Sequence, residues 1–162
     1  MFELQRLRSD HEAALLDFEL ANRDYFAESI NDRGEAFFAN FPKEHRTLLA
    51  DQESGDFAFH VLVDDEGMVV GRFNLFDIAD STAVVGYRVA QRVTGRGVAT
   101  SALRELCRIA RDDYSLRKLR AATSYENVAS QRVLERAGFV ADGPTDVGGR
   151  PGLWYELDLT AT

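Results

Sequence analysis

The stretch RVTGRGVAT, residues 92–100, constrains the fold of this chain more than any other segment. Two glycines stand one residue apart, between a segment typical of a strand (residues 82–89) and a segment typical of a helix. Glycine weakens the start of a helix, so its presence here indicates that a ligand needs bare backbone. Backbone N–H groups and the dipole at a helix start bind phosphate readily. A glycine turn that merely joins the two elements is the alternative.

Three kinds of phosphate-binding loop compete for this stretch. A P-loop requires a Gly-Lys-Ser/Thr ending, and no such lysine follows Gly97. A dinucleotide fingerprint requires a third glycine where Thr100 stands, and an early β-α-β unit before it. The third pattern, Arg/Gln-x-x-Gly-x-Gly/Ala, matches residues 92–97 at every defined position. The sequence therefore favours this third loop.

The remaining periodicity predicts the element order β-α-α-β-β-β-α-β-α-β-β. The first helix follows Ser9 or Asp10 and places Ala13, Leu16 and Leu20 on one face. The other predicted elements are two helical pieces in residues 31–53 divided near Phe41-Pro42, a hairpin over 57–78, strands 82–89, 116–123, 139–147 and 152–159, and helices 99–111 and 127–137, the last ended by Gly138.

A single β-α-β crossover between runs of antiparallel strands predicts the fold class. We expect an α+β fold with three α/β/α layers and a mixed, mostly antiparallel, twisted sheet. The length of 162 residues predicts one domain over residues 1–162.

The charge distribution bears on the partners. The net charge is −8, whereas a nucleic-acid-binding protein is normally basic, so we expect no nucleic-acid partner. Residues 88–120 carry 9 basic and 3 acidic side chains, which fits a local anion site. Residues 1–87 carry 7 basic and 18 acidic side chains, which fits a cationic partner. Chance segregation of charge over solvated faces is the alternative.

Cysteine and histidine usage bears on location and metal binding. One cysteine allows no internal disulfide, and the chain shows neither a signal peptide nor an apolar run of membrane-spanning length, so a cytoplasmic protein without a membrane partner is expected. Cys107 is expected to be a buried thiol, His60 a structural histidine, and His11 and His45 helix-surface residues. These scattered positions predict no metal site.

A second motif, NVASQRVLERAGF, follows at residues 127–139. Its Asn-x-x-Ser opens a helix that closes with Gly-Phe. Together with the glycine loop and with GYRV at residues 86–89, it resembles the GNAT superfamily of acyl-CoA-dependent N-acyltransferases over roughly residues 61–159. The segment LANRDYFAESI (residues 20–30) and Leu134 resemble the RimJ/RimL-type branch, which acetylates protein N-terminal amines.

The resemblance implies a site for acetyl-CoA, which is the co-substrate, with no metal. Two central parallel strands would splay apart and expose an edge to the pantetheine arm, and the Val89 N–H would stabilise the oxyanion. Asn127 would contact the pantetheine or the leaving sulfur, and Ser130 would be the general acid. The implied catalytic residues are Ser130, Val89 and Asn127. The implied coenzyme-binding residues are Tyr87, Arg88, Val89, Arg92, Gly95, Arg96, Gly97, Val98, Ala99, Thr100, Asn127 and Ser130.

The resemblance also implies direct attack by a primary amine in a ternary complex. A protein N-terminus or another cationic amine is the expected acceptor. A small amine (polyamine, amino acid or antibiotic) and a non-catalytic acyl-CoA sensor are the alternatives, and a homodimer is left open. Val84 and Leu134 stand where many relatives carry a glutamate and a tyrosine, and the loop after Gly-Phe is short. The general base therefore stays open among Asp77, Glu126, Asp146 and water.

Overall fold

The computed structural model describes residues 1–160 and shows a seven-stranded sheet in the order β1-β2-β3-β4-β5-β7-β6. The strands are β1 (Glu3–Arg6), β2 (Ala58–Val63), β3 (Val69–Ala79), β4 (Thr82–Val89), β5 (Lys118–Ser124), β6 (Val140–Val147) and β7 (Arg150–Asp158). The helices are α1 (Glu12–Ala21), α2 (Arg23–Ala27), α3 (Glu35–Ala39), α4 (Phe41–Ser54), α5 (Val98–Asp112) and α6 (Val128–Arg136).

The predicted element order is confirmed, with additions between the main elements. The helix α2 and two short 3-10 turns, Ser9–His11 and Gln91–Val93, were not predicted. The two helical pieces divide at Asn40, and Pro42 lies in the first turn of α4, where its missing N–H costs nothing. None of the helices among residues 1–160 is long and apolar enough to cross a membrane.

The sheet is antiparallel except for one parallel pair, β4 and β5. These strands pair only from Thr82–Lys118 to Val84–Arg120. Beyond that point β4 remains paired with β3 as far as Val89, and β5 remains paired with β7. The two central strands therefore separate, as the resemblance implied, and each keeps one edge toward the gap.

Helices cover both faces of the sheet and confirm the three layers. Cross-strand partners point to the same face, so His60, Phe73 and Tyr87 share one face. Tyr114, just after α5, contacts the His60 ring at 6.3 Å between centroids, which places α5 on this face. Glu19 of α1 pairs with Arg72 on the opposite face.

The buried face of α1 differs from the prediction. Leu15 and Phe18 are buried against the sheet, whereas Ala13 is exposed and Leu20 is 49% exposed. The cause is Glu19, which is itself buried. The helix turns this carboxylate toward the arginines of β3 and β4, and the apolar residues one turn away from it become the core face.

The expectation that His11 and His45 lie on helix surfaces is wrong. His45 is 1% exposed, and its Nε2 lies 2.9 Å from the Arg8 carbonyl oxygen. The Arg8 backbone N–H donates to His11 Nδ1 at 3.0 Å. The two rings therefore hold the turn after β1, where the backbone needs hydrogen-bond partners that the helix pattern alone does not reveal. Cys107 is partly buried, and burial raises the pKa of its thiol to about 12.

His60 is buried at 3% exposure, and burial lowers its pKa to about 4. The unfolded chain binds a proton at this residue near pH 6.5, so the unfolded state holds more protons between these values. Stability is then lost as the pH falls from about 6.5 toward 4, by up to about 3 kcal/mol.

We predict that the free energy of unfolding falls more in the wild type than in His60→Leu when the pH is lowered from 7.5 to 5. The expected difference is about 2 kcal/mol, because the leucine cannot take up a proton. Urea unfolding of both proteins at the two pH values measures this difference. Both proteins retain His11, so its contribution to the pH dependence cancels in the comparison. An equal loss in both proteins would contradict the assignment to His60.

Candidate active site

A cavity of about 500 Å³ lies beside the free edge of β4. Helix α2 walls one side, and the start of α5 and the length of α6 wall the other. Its lining comprises Tyr25, Phe26, Ser29, Ile30, Tyr87, Arg88, Val89, Val93, Thr94, Gly95, Gly97, Val98, Ala99, Thr100, Asn127, Ala129, Ser130, Arg132, Val133 and Arg136.

The backbone direction along β4 follows from its pairing with β3. The Ala90 N–H donates to the Val70 carbonyl at 2.8 Å. Backbone groups alternate sides along a strand, so Val89 and Tyr87 direct their N–H and C=O groups away from β3. These groups face the gap between β4 and β5, where an extended ligand can pair with them.

The glycine loop places the start of helix α5 at the cavity. Gly95 and Gly97 have φ angles of 75° and 76°, in the left-handed region that favours glycine. Helix α5 begins at Val98, and the Ser101 N–H donates to the Gly97 carbonyl at 3.0 Å. The N–H groups of residues 98–100 therefore precede the helix ladder and point out of its start.

Hydrogen bonds tie the loop and the wall of the cavity together. The Asn22 amide oxygen accepts the Gln91 N–H at 3.0 Å, and the Asn22 amide donates to the Phe18 carbonyl at 2.9 Å. Asn22 lies between α1 and α2, so this buried side chain joins the glycine loop to α2.

The structure does not bring all the predicted arginines to the cavity. Arg92 donates to the Asp64 carboxylate at 3.1 Å, outside the lining, and Arg96 lines a separate groove beside β1. Arg132 and Arg136 of α6 line the cavity instead, and the sequence analysis missed them. Their spacing of four residues on a helix that follows Asn-x-x-Ser was the available signal, because it places both on one face.

Asn127 and Ser130 meet at the start of α6. The Asn127 Oδ1 accepts the Ser130 N–H at 3.2 Å, so Asn127 caps the helix. The Ser130 hydroxyl lies 3.1 Å from the Tyr87 hydroxyl, across from β4. The cap and this contact place Ser130 on the cavity wall, which Arg132 and Arg136 of the same helix also line.

A family model described as an acetyltransferase (GNAT) domain matches residues 2–140 of the chain. The chain belongs to this family. Membership confirms the expected enzyme class, an acetyltransferase, for which acetyl-CoA is the acetyl donor.

Curated and solved relatives agree with this GNAT assignment. The chain is 29% identical over 136 residues to a probable N-acetyltransferase, YjcK, of Bacillus subtilis, covering 79% of this chain and 74% of the relative. The fold matches a ribosomal-protein-S5-alanine acetyltransferase from Vibrio fischeri with a TM-score of 0.90 at 19% identity, over 98% and 93% of the two chains. It matches RimJ of Mycobacterium smegmatis, solved with CoA-disulfide, with a TM-score of 0.86 at 23% identity, over 97% and 81%.

The three candidate bases of this GNAT domain lie in different places. Asp77 follows Phe76, which pairs with Val84, so it is at least five residues or about 16 Å along the sheet from Val89. Glu126 accepts from Arg150 at 3.2 Å and adjoins Asn127 in the cavity wall. Asp146 accepts the Gly149 N–H at 2.7 Å.

A buried ion cluster stands behind the β4 wall. Glu19, 2% exposed, accepts from Arg88 at 2.7 Å and from Arg72 at 3.0 Å, and Arg33 approaches it at 4.0 Å. The Arg88 side chain is therefore directed to α1, and it also lies over the Phe26 ring of α2 at 4.5 Å. Burial lowers the pKa of Arg88 to about 10, and Glu19 opposes that shift.

We predict that Glu19→Gln destabilises the fold by about 3 kcal/mol or more. The substitution leaves two buried arginines without a counter-charge, which costs far more than the loss of an exposed pair. Asp17→Asn, on the exposed side of the same helix, is the matched control and should change stability by no more than about 0.5 kcal/mol. Urea unfolding at pH 7.5 measures both. Equal stabilities of the two variants would show that the cluster does not hold the fold.

Proposed function

We propose that the protein transfers an acetyl group from acetyl-CoA to a primary amine by direct attack. The observation that carries this proposal is the free edge of β4, which runs along the cavity and ends beside the unpaired start of α5. An extended thioester arm requires the first feature, and its pyrophosphate requires the second. Within residues 1–160, no three His, Cys, Asp or Glu side chains form a group that could hold a metal ion.

The cavity residues divide between the two ends of acetyl-CoA. The N–H groups of residues 98–100 and the backbone of Gly95 and Gly97 would hold the pyrophosphate. Arg132 and Arg136 would add positive charge to the phosphate end, a role expected of Arg92 and Arg96 from the sequence. The edge at residues 87–89 would pair with the pantetheine arm, and the Val89 N–H would stabilise negative charge on the thioester oxygen.

The charges behind the acetyl end favour a neutral amine. Arg72 and Arg88 outnumber Glu19 in the buried cluster, and the lining residues among 1–160 include no carboxylate. Nearby positive charge and exclusion of water both lower the pKa of an ammonium group. The amine then loses its ammonium proton before it attacks, and Asp77, Glu126, Asp146 or water receives that proton without needing a strongly basic pKa.

We infer that the acceptor is the N-terminal amine of a protein. The alpha-amino group already has a pKa close to 8, so it reaches the neutral form more easily than a lysine or a polyamine. Asp24 and Glu28 lie exposed on α2 and just after it, next to the cavity-lining residues Tyr25 and Ser29, where they would attract a basic chain. Solved structures of similar fold include RimL, a ribosomal L7/L12 alpha-N-protein acetyltransferase, and also a spermidine N-acetyltransferase.

The proposal predicts acetyl transfer to peptides in preference to small amines. Release of the coenzyme A thiol would be followed with free-amine peptides that copy basic protein N-termini, the same peptides with a blocked N-terminus, polyamines, amino acids and aminoglycosides. We expect turnover with free-amine peptides and at least a tenfold lower kcat/KM with the small amines. Blocked peptides should give no turnover, even where they contain lysine.

Gly97→Trp is the control for the coenzyme site. The bulky ring at a position with positive φ should obstruct the start of α5 and abolish acetyl-CoA binding. Turnover confined to a small amine would overturn the acceptor while leaving the coenzyme site in place. Undiminished binding by Gly97→Trp would overturn the coenzyme site itself.

A further inference from the structure

A tyrosine from the sheet meets the serine at the start of α6. The Tyr87 hydroxyl lies 3.1 Å from Ser130 Oγ and 3.3 Å from the Ser130 carbonyl oxygen. Both residues line the cavity, although they stand 43 residues apart in the sequence. The contact therefore bridges β4 and α6 at the place where the two central strands have separated.

The position of the tyrosine ring is fixed by packing. It stacks on Phe73 with 5.4 Å between centroids and 4° between planes, and Phe73 is itself fully buried. Burial raises the pKa of Tyr87 to about 12, so the phenol keeps its proton at neutral pH. A fixed phenol that stays protonated is a permanent hydrogen-bond donor at this point.

The serine hydroxyl has one proton and can accept as well as donate. When the phenol donates to Ser130 Oγ, the serine proton is free to point into the cavity. When the phenol donates to the Ser130 carbonyl oxygen instead, the serine hydroxyl can donate to the phenol, and its proton points to the sheet. The buried phenol stays within 3.1 Å of Ser130 Oγ. It can therefore donate to the serine whenever a ligand atom in the cavity accepts the serine proton.

We propose that Tyr87 is a positioning residue that directs the Ser130 hydroxyl toward the sulfur of coenzyme A. This inference rests on the proposed function of the cavity. In the reaction the nitrogen–carbon bond forms and the carbon–sulfur bond breaks, with the electron pair passing to sulfur. Ser130 donates a hydrogen bond to that charge, and the N–H proton that the attacking neutral amine gives up as the amide forms ends on the sulfur.

The test compares Tyr87→Phe, Ser130→Ala and the double variant. The first readout is the thiol pKa of bound coenzyme A, followed by the ultraviolet absorbance of the thiolate, which needs no amine acceptor. The second is kcat and the KM for acetyl-CoA with a peptide acceptor. Tyr114→Phe is the matched control, because that ring packs on His60 on the same face of the sheet rather than on Ser130.

We expect Tyr87→Phe to raise the bound thiol pKa by about one unit and to lower kcat about tenfold, with KM changed less than about twofold. Ser130→Ala should do at least as much. The double variant should match Ser130→Ala, because the tyrosine acts through the serine. Tyr114→Phe should match the wild type in both readouts.

Several results would overturn the inference. The first is an unchanged pKa of the bound thiol in Tyr87→Phe. The second is a loss of kcat on Tyr87→Phe substitution that is just as large in the Ser130→Ala background as in the wild type. If Tyr87→Phe does not fold, a fluorinated tyrosine at the same position strengthens the donor without changing its shape, and the bound thiol pKa must then fall. A shifted thiol pKa without any acetyl transfer would support the pair and overturn the proposed acceptor. Failure of the wild type to bind coenzyme A would overturn both.

Discussion

The site depends on one interruption of backbone pairing, the separation of β4 from β5 after Val84. Each strand is satisfied on its outer side, β4 by β3 and β5 by β7. At the end of β5 the approach is so close that a Cβ on Gly152 would collide with the Thr123 carbonyl oxygen, so β5 is held toward β7 and away from β4. The unpaired inner edge of β4 is then a template for an extended ligand, and the cavity follows that edge.

Buried charge keeps the free edge in place. Glu19 joins α1 to Arg72 of β3 and Arg88 of β4. The last residues of β4 are therefore held to the helical layer rather than to β5. The aromatic contact of Arg88 with Phe26 extends the tie to α2, which walls the cavity. The same cluster carries more positive than negative charge, so in the proposed reaction it would also disfavour the protonated form of an incoming amine.

The element order and the glycine loop could be predicted from the sequence, because periodicity and turn residues are local signals. The positions of the Arg92 and Arg96 side chains could not be predicted, because the positive φ angles at Gly95 and Gly97, on either side of Arg96, turn the chain there. The buried face of α1 was also not predicted. Glu19 pairs with Arg72, which lies 53 residues further along the chain, and the spacing of apolar residues gives no sign of such an ion pair. Arg132 and Arg136 carried a helical spacing, but only the fold shows that their helix adjoins the loop.

The most direct test of the account is amide hydrogen exchange with and without coenzyme A. Binding along the free edge predicts slower exchange at residues 87–89 and 95–100, with the paired strand β2 unchanged. The groove beside β1, which contains Arg96 and Phe2, is of comparable size and provides the internal comparison. Protection confined to that groove, or no protection at residues 87–89, would contradict the claim that the separated strands bind the coenzyme.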